Sequence, residues 1–260
     1  MKTRTSGARR QEILSLLARR GEVTVEGLAG RFDIDKVTVR RDLARMEHEG
    51  LARRTHGGAI PSRGGTVEFA VQRQGSIHAD AKRAIARAAA GIVRPGMNIS
   101  LDTGTTTLEV ARVIADIADL KVLTSSLPVA SVLHSRQHLE VVLLGGVVRK
   151  GSPDLIGALT EENLRRFRVE LCILGADAVG PGGLFTMDAG VSGVSRAMID
   201  GAERAVLVAD SSKFAARAFV RFAAWEDIDE VFTDNGLGRS DLRWLRKVVT
   251  KVTCVAAPKE

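Results

Sequence analysis

The sequence predicts an α/β protein in two parts: a small winged helix-turn-helix domain over residues 1–60 and a mainly parallel α/β domain over 78–260, joined by a linker over 61–77. Three observations lead there. The first 60 residues read as three short helices followed by a two-stranded wing. After residue 97, seven short apolar runs alternate with amphipathic helices, the pattern of a parallel sheet covered on both faces. Charge is also uneven: residues 1–60 hold 13 Lys and Arg against 8 Asp and Glu, whereas the rest of the chain holds 25 against 23.

The head is justified element by element. In R-R-Q-E-I-L-S-L-L-A-R-R, Ile13, Leu14, Leu16 and Leu17 fall on one helical face, and Gly21 ends the helix. Thr24 is placed to cap a second helix that turns Val25, Leu28, Ala29 and Phe32 inward. Gly27 and Gly30 lie within that helix, each at a cost of about 1 kcal/mol relative to alanine. Asp35 is positioned to cap a third helix with Val39, Leu43 and Met46 at core spacing, and Gly50 stops it. L-A-R-R-T-H-G-G-A-I then reads as strand, tight turn and returning strand.

Pro61, Gly64 and Gly65 mark the linker. The body begins with the helix A-D-A-K-R-A-I-A-R-A-A-A-G-I-V. Its seven strands are expected at M-N-I-S-L-D, K-V-L-T-S, E-V-V-L-L-G, E-L-C-I-L-G-A-D, A-V-L-V-A-D, E-V-F-T-D and K-V-T-C-V. Helices such as T-L-E-V-A-R-V-I-A-D-I and S-D-L-R-W-L-R-K-V-V separate them.

Composition narrows the function classes. A hydrophobic fraction of 45% with 27% charged residues is that of a soluble globular protein. No apolar run approaches the ~20 residues that span a bilayer, so no membrane partner is expected. The basic N-terminus leads into a charged helix instead of an apolar signal core, and a cytoplasmic location follows as the expectation. Cys172 and Cys254 each lie in an apolar run and are expected to be small buried hydrophobes of a reducing compartment. Neither a metal site nor a cofactor is expected.

A basic head on a nearly neutral body points to a polyanion. With Val39, Leu43 and Met46 inward, the third helix presents Lys36, Val37, Thr38, Arg40 and Arg41 to double-stranded DNA. Arginine there can take guanine edges or phosphates, and Thr38 can reach a phosphate or a thymine methyl. In the wing, Arg53, Arg54 and His56 flank Gly57 and Gly58, which let backbone approach a phosphate or the minor groove.

At this point a resemblance becomes specific. V-T-V-E-G-L-A-G-R-F-D-I-D-K-V-T-V-R-R-D-L, continuing to G-L-A-R-R-T-H-G-G-A, resembles the N-terminal domain of the DeoR family of bacterial transcriptional regulators. The residues that match its signature are Arg40, Arg41, Asp42, Leu43, Arg54, His56, Gly57 and Gly58.

The body holds a second motif, S-L-D-T-G-T-T-T-L-E-V at residues 100–110. A similar Asp-x-Gly-Thr-Thr string lies in the ATP site of sugar kinases, but there it forms a hairpin near the chain start. Here it joins a strand end to a helix start, so its N–H groups, hydroxyls and helix dipole suit a bound phosphate. The candidate ligand residues are Asp102, Thr103, Gly104, Thr105, Thr106 and Thr107. Further polar strand ends are Thr124 and Ser125, Gly145 with nearby Arg149, Asp177, and Asp210-Ser211-Ser212-Lys213. Ligands in open α/β sheets bind beyond the carboxyl ends of strands, where these residues converge.

The strings D-T-G-T-T-T, L-L-G-G-V-V-R, L-G-A-D and A-D-S-S-K-F also resemble the DeoR family, whose sensor domain is similar in fold to ribose-5-phosphate isomerase. The resemblance covers about residues 9 to 255. It implies a regulator, expected to be a repressor of a carbohydrate or related catabolic operon. Operator DNA and a phosphorylated sugar or related metabolite are the implied partners, with Arg149 and Lys213 meeting the anion, and the assembly is expected to be a homodimer or homotetramer. Two departures stand out: Thr124-Ser125-Ser126 replaces the family's usual Thr-Asn-Ser, and A-G-V-S-G-V-S precedes Arg196 where many members carry acids and a lysine. The alternative function is an isomerase-like activity drawing on Asp102, Asp177 and Lys213. Ala178-Val179 stand where such isomerases carry a further acid, so no catalytic residue is expected.

Overall fold

The computed structural model describes residues 6–48, 51–61 and 77–257. Gly50 and most of the linker, residues 62–76, lie outside the described residues. The contacts divide the chain into two compact units, 1–77 and 78–260.

The first unit runs α1 (Ser6–Arg20), β1 (Val23–Thr24), α2 (Val25–Phe32), α3 (Lys36–His48), β2 (Ala52–Thr55) and β3 (Gly58–Pro61). The apolar spacing does what the sequence requires of it: Ile13, Leu17, Leu28, Val39, Leu43 and Met46 form one buried core. Thr24 Oγ1 accepts the Gly27 N–H at 3.1 Å, and Asp35 Oδ1 accepts the Thr38 N–H at 2.7 Å, so both expected caps are made. Gly21 ends α1 at φ 77°, its N–H bonded to Leu17 O. The wing gains a strand the sequence reading lacked. Short β1 pairs antiparallel with β3, giving the order β1-β3-β2.

The second unit opens with α4 (Ala79–Ala90). A seven-stranded, wholly parallel sheet follows, built from β4 (Asn98–Leu101), β5 (Lys121–Thr124), β6 (Glu140–Leu143), β9 (Leu171–Leu174), β12 (Ala205–Val208), β14 (Glu230–Asp234) and β15 (Lys251–Val255). These are the seven runs picked out by their apolar character. β9, β12 and β14 are buried at every residue, as strands with both faces covered must be. α5 (Thr105–Ile114) joins β4 to β5, α6 (Leu127–Leu133) joins β5 to β6, and α9 (Arg239–Val248) joins β14 to β15.

The strand order is β15-β14-β12-β9-β4-β5-β6. From β4 the chain steps outward through β5 and β6. It then returns to the other side of β4 at β9 and continues outward through β12, β14 and β15. The order therefore reverses between β4 and β9, the place where open α/β sheets open a crevice at their carboxyl ends.

Two smaller pieces were not legible as strands. β7 (Val147–Val148) and β8 (Leu155–Ile156) form a hairpin, and β10 (Ala178–Gly180), β11 (Gly183–Thr186) and β13 (Val220–Ala223) form an antiparallel sheet. In the chain α7 (Ala158–Arg165) follows β8, and α8 (Ala189–Asp200) lies between β11 and β13. One expectation is corrected: Cys172 is buried, but Cys254 is exposed. Its strand, β15, is the last in the sheet, and β15 carries no wholly buried residue.

Candidate functional site

In the first unit, Val37, Arg40 and Arg41 are exposed on α3, with Val37 at 62% although its neighbours Val39 and Leu43 are buried. An exposed valine beside two free-facing arginines is the surface a recognition helix needs. Lys36 Nζ meets Glu26 Oε1 at 2.8 Å, tying the N-terminus of α3 to α2. Thr38 is partly committed, since its Oγ1 donates to Asp35 Oδ2 at 2.8 Å within the cap. Asp42 points the other way: it is buried and accepts Arg9 Nε at 2.6 Å, which pins α3 to α1.

Arg53, Arg54, His56 and Gly57 are exposed along the wing. The two wing glycines do different jobs. A Cβ on Gly57 would meet nothing, whereas one on Gly58 would lie 1.9 Å from Val23 O, where β1 crosses. Gly57 O in turn accepts the Val25 N–H at 2.8 Å, fixing the turn against the start of α2. The backbone bond and the close crossing thus hold the wing to its own unit.

In the second unit, Asp102, Thr103–Thr107, Thr124–Ser125, Gly145, Asp177 and Asp210–Lys213 all follow the carboxyl ends of parallel strands and so gather along one edge of the sheet. Asp102 sits at the reversal point. Its Oδ1 accepts the Thr103 N–H at 2.8 Å and its Oδ2 the Gly175 N–H at 3.2 Å. Burial pushes its carboxyl up to about 7, against the pull of those two N–H groups, and the charges of Asp154 and Asp177 raise it further.

Gly104 precedes α5 at φ 126°, a conformation that favours glycine, and the helix begins directly beneath it. No side chain caps this N-terminus among the described residues. Thr107 Oγ1 instead donates to Gly104 O at 3.0 Å, bracing the loop from inside. Thr106 and Thr107 are buried, while Gly104 is exposed and Thr105 half-buried. Solvent therefore reaches the turn at Thr103, Gly104 and Thr105.

Thr124 is fully buried and its hydroxyl is occupied twice, donating to Leu101 O at 2.7 Å and accepting the Ser126 N–H at 3.0 Å. It locks the end of β5 to the end of β4. Ser125 is buried as well, and its carbonyl accepts the Leu155 N–H. Gly145 O accepts Thr160 Oγ1 at 2.7 Å. Asp177 Oδ2 takes the Met187 N–H at 2.8 Å and Thr186 Oγ1 at 3.0 Å, so the antiparallel sheet fixes it.

Arg149 clamps the β7–β8 hairpin. Its Nε lies 3.0 Å and 3.1 Å from the two oxygens of buried Asp154, and its Nη2 donates to Ser152 at 2.9 Å. Its Nη1 lies 3.9 Å from Asp188, the residue that caps α8. The glycines of A-G-V-S-G-V-S admit close neighbours here. A Cβ on Gly190 would lie 2.8 Å from Ile156 Cδ1, and one on Gly193 would lie 2.3 Å from Glu161 Oε1. Glu161 of α7 thus occupies the space over α8 that a larger residue would fill.

Sequence reasoning missed Lys82. It lies on the buried stripe of α4 with Ile85, Ala86 and Ala89, a spacing that would have exposed it as a lysine on an apolar face. Burial draws its ammonium down to about 8; the Asp210 and Glu109 charges oppose that shift and the Lys213 charge adds to it. Asp210 is itself buried, and its Oδ2 has no hydrogen-bond partner among the described residues. Lys82 and Lys213 thus lie near the buried acid Asp210 beyond the end of β12, while Asp102 and the open start of α5 follow β4 and Asp177 follows β9. No group of His, Cys, Asp and Glu among the described residues is arranged to hold a metal, and no helix among them is long and apolar enough to cross a membrane.

Comparison with known proteins identifies relatives of both units. Residues 9–62 match the DeoR-like helix-turn-helix domain, and residues 77–235 match the DeoR C terminal sensor domain. A putative aga operon transcriptional repressor of Escherichia coli O157:H7 is 32% identical over 250 residues, covering 95% of this chain and 93% of that protein. The glycerol-3-phosphate regulon repressor of Escherichia coli K12 is 31% identical over 228 residues, with 87% and 90% covered. Among solved structures, ribose 5-phosphate isomerase A from Methanocaldococcus jannaschii overlaps at a TM-score of 0.39 and 19% identity, covering 53% of this chain and 55% of that one. With both domains matched over most of its length, the chain belongs to the DeoR family of DNA-binding transcriptional regulators.

Proposed function

We propose that the protein is a repressor of a carbohydrate or related catabolic operon, released from its operator when a phosphorylated sugar-type metabolite binds the second unit. The observation that carries this reading is the crevice where the strand order reverses, at which the α5 start, with no side-chain cap among the described residues, lies two residues beyond buried Asp102. The start of α5 at Gly104 and Thr105, with Lys82 and Lys213, suits a phosphate. Asp102 and Asp177 suit the hydroxyls of a polyol or sugar. The glycerol-3-phosphate regulon repressor among its relatives supports a small phosphorylated effector.

Arg40, Arg41, Val37 and the Arg53–Gly57 wing are the proposed operator contacts, Lys36 and Thr38 acting beside them. Effector release requires that the ligand bind more tightly to a conformation with low operator affinity. A homodimer or homotetramer is the proposed assembly. Support comes from β6, the last strand of the sheet, which with the adjoining hairpin exposes Leu143, Val147 and Val148. Turnover of the ligand is not part of the proposal: Ala178 and Val179 are buried in β10, with no acid beside Asp177.

The test is a panel of sugar phosphates, glycerol 3-phosphate and their unphosphorylated counterparts in thermal-shift and operator gel-shift assays. At least one is expected both to raise the melting temperature and to release DNA. A panel in which only the unphosphorylated sugars act would overturn the phosphate assignment.

A further inference from the structure

We infer that the second unit carries its own contact for the phosphate backbone of duplex DNA, on the outer face of α9. Arg239, Arg243, Arg246 and Lys247 are all exposed, and their spacing of four, seven and eight residues places them in one stripe. The stripe is about 12 Å long, over which duplex DNA presents one charge per about 1.7 Å. Three of the four are arginines, whose planar fork matches phosphate oxygens.

Several other helices of this unit pair their cations within the helix. Arg112 pairs with Glu109, Arg165 with Glu161 and Arg196 with Asp200, each one helical turn away. None of the four α9 cations has an ion-pair partner among the described residues. The single acid of the helix, Asp241, lies off the stripe and accepts Trp244 Nε1 at 3.1 Å. Arg246 and Lys247 in the last turn are favoured by the helix dipole, but Arg239 begins the helix, where the dipole repels it. Intramolecular stability therefore explains two of the four and leaves Arg239 and Arg243 for an external anion. Leu245 is buried and Trp244 stacks edge-on against Trp225 at 5.5 Å, so the basic face is carried on an anchored helix. Duplex DNA is the polyanion this family engages, and the inference rests on that DNA-binding assignment.

The experiment compares the full chain with R239Q/R243Q/R246Q/K247Q on a mixed-sequence duplex, by fluorescence anisotropy across a salt series. Each phosphate contact contributes about 0.9 to the slope of log affinity against log salt, so the slope is expected to fall by up to about 3.6. Affinity at low salt should drop at least about tenfold, the lower bound expected from losing several phosphate contacts. The charge-reversed pair R243E/R246E, which changes the net charge by as much, provides a second reading, expected to weaken binding as well. Unchanged slopes in both variants, with R40A/R41A still lowering the slope, would overturn the inference. Unchanged slopes accompanied by loss of self-association would also overturn it, assigning the stripe to a second copy. If the wild-type chain itself bound duplex without salt dependence, the DNA assignment would fail instead, and with it this inference.

Discussion

Asp102 Oδ2 accepts the Gly175 N–H at 3.2 Å, joining the end of β4 to the end of β9 across the point where the strand order reverses. The same carboxyl is buried and titrates near 7. A free aspartate titrates near 3.9, so between about pH 4 and 7 the folded chain holds a proton that the unfolded chain has lost. The contribution of Asp102 to stability therefore falls as pH rises through that window and is level above it. Its size is on the order of 4 kcal/mol. Urea unfolding of the wild type and of Asp102→Asn across this range should show the difference between them shifting by an amount of that order. Parallel curves would mean that Asp102 is not the titrating group. Effector affinity should run the opposite way, strengthening toward pH 8 as the carboxylate becomes an acceptor for a ligand hydroxyl.

Lys82 gives a prediction that separates sensing from DNA binding. Lys82→Met keeps the apolar stem on the buried stripe of α4 but removes the charge facing Asp210 and Lys213. The effector concentration needed to release operator should rise at least about tenfold, as expected for a lost charge-assisted bond of about 1.5–3 kcal/mol. Operator affinity without effector should be unchanged. Gel shifts titrated with the effector test both halves, and a normal response would remove Lys82 from the site.

The seven sheet strands were legible because apolar residues fill them, and burial on both faces is what parallel sheets impose. The Gly-Thr turn was legible for a related reason, since a glycine between a strand end and a helix start has few other uses. β7, β10 and β11 escaped because two to four residues, many of them Gly, Ala or Val, carry no period to read. Thr124 and Arg149 look in sequence like ligand groups. Their hydrogen bonds to Leu101 O and Asp154 depend on partners 23 and five residues away, which spacing alone does not disclose. Lys82 is hidden for a different reason: its alanine-rich helix has few large apolar residues to mark which face is buried.

The glycines of the head allow a paired stability test. A Cβ on Gly58 would lie 1.9 Å from Val23 O, a backbone atom that cannot move without breaking the β1–β3 pairing. Gly58→Ala is expected to destabilise the chain by about 1–3 kcal/mol. Gly30 is exposed in α2, and a Cβ there would meet nothing, so Gly30→Ala should stabilise by about 0.5–1 kcal/mol. Denaturant melts of the two variants should move in opposite directions. Gly27 differs from Gly30 because its Cβ would touch the capping Thr24 Oγ1 at 3.0 Å, which accounts for one of the two helix glycines.

Arg40 and Arg41 are adjacent on the exposed side of α3, and one angular step of a helix separates their side chains. They therefore have different neighbours on a duplex, and salt distinguishes their roles. An arginine on a phosphate contributes about 0.9 to the salt slope and is lost uniformly across sequences. One that forks onto a guanine costs about 1–3 kcal/mol when removed and relaxes specificity at that base pair. Arg40→Ala and Arg41→Ala should each weaken operator binding. Binding measured on operator and on mixed-sequence duplex across a salt series assigns each to one role. Asp42→Asn serves as the contrast: it breaks the buried pair with Arg9, so its loss of operator affinity should follow a lowered melting temperature with the salt slope unchanged. Should Asp42→Asn alter the slope while the arginine variants do not, α3 would not be the helix that meets DNA.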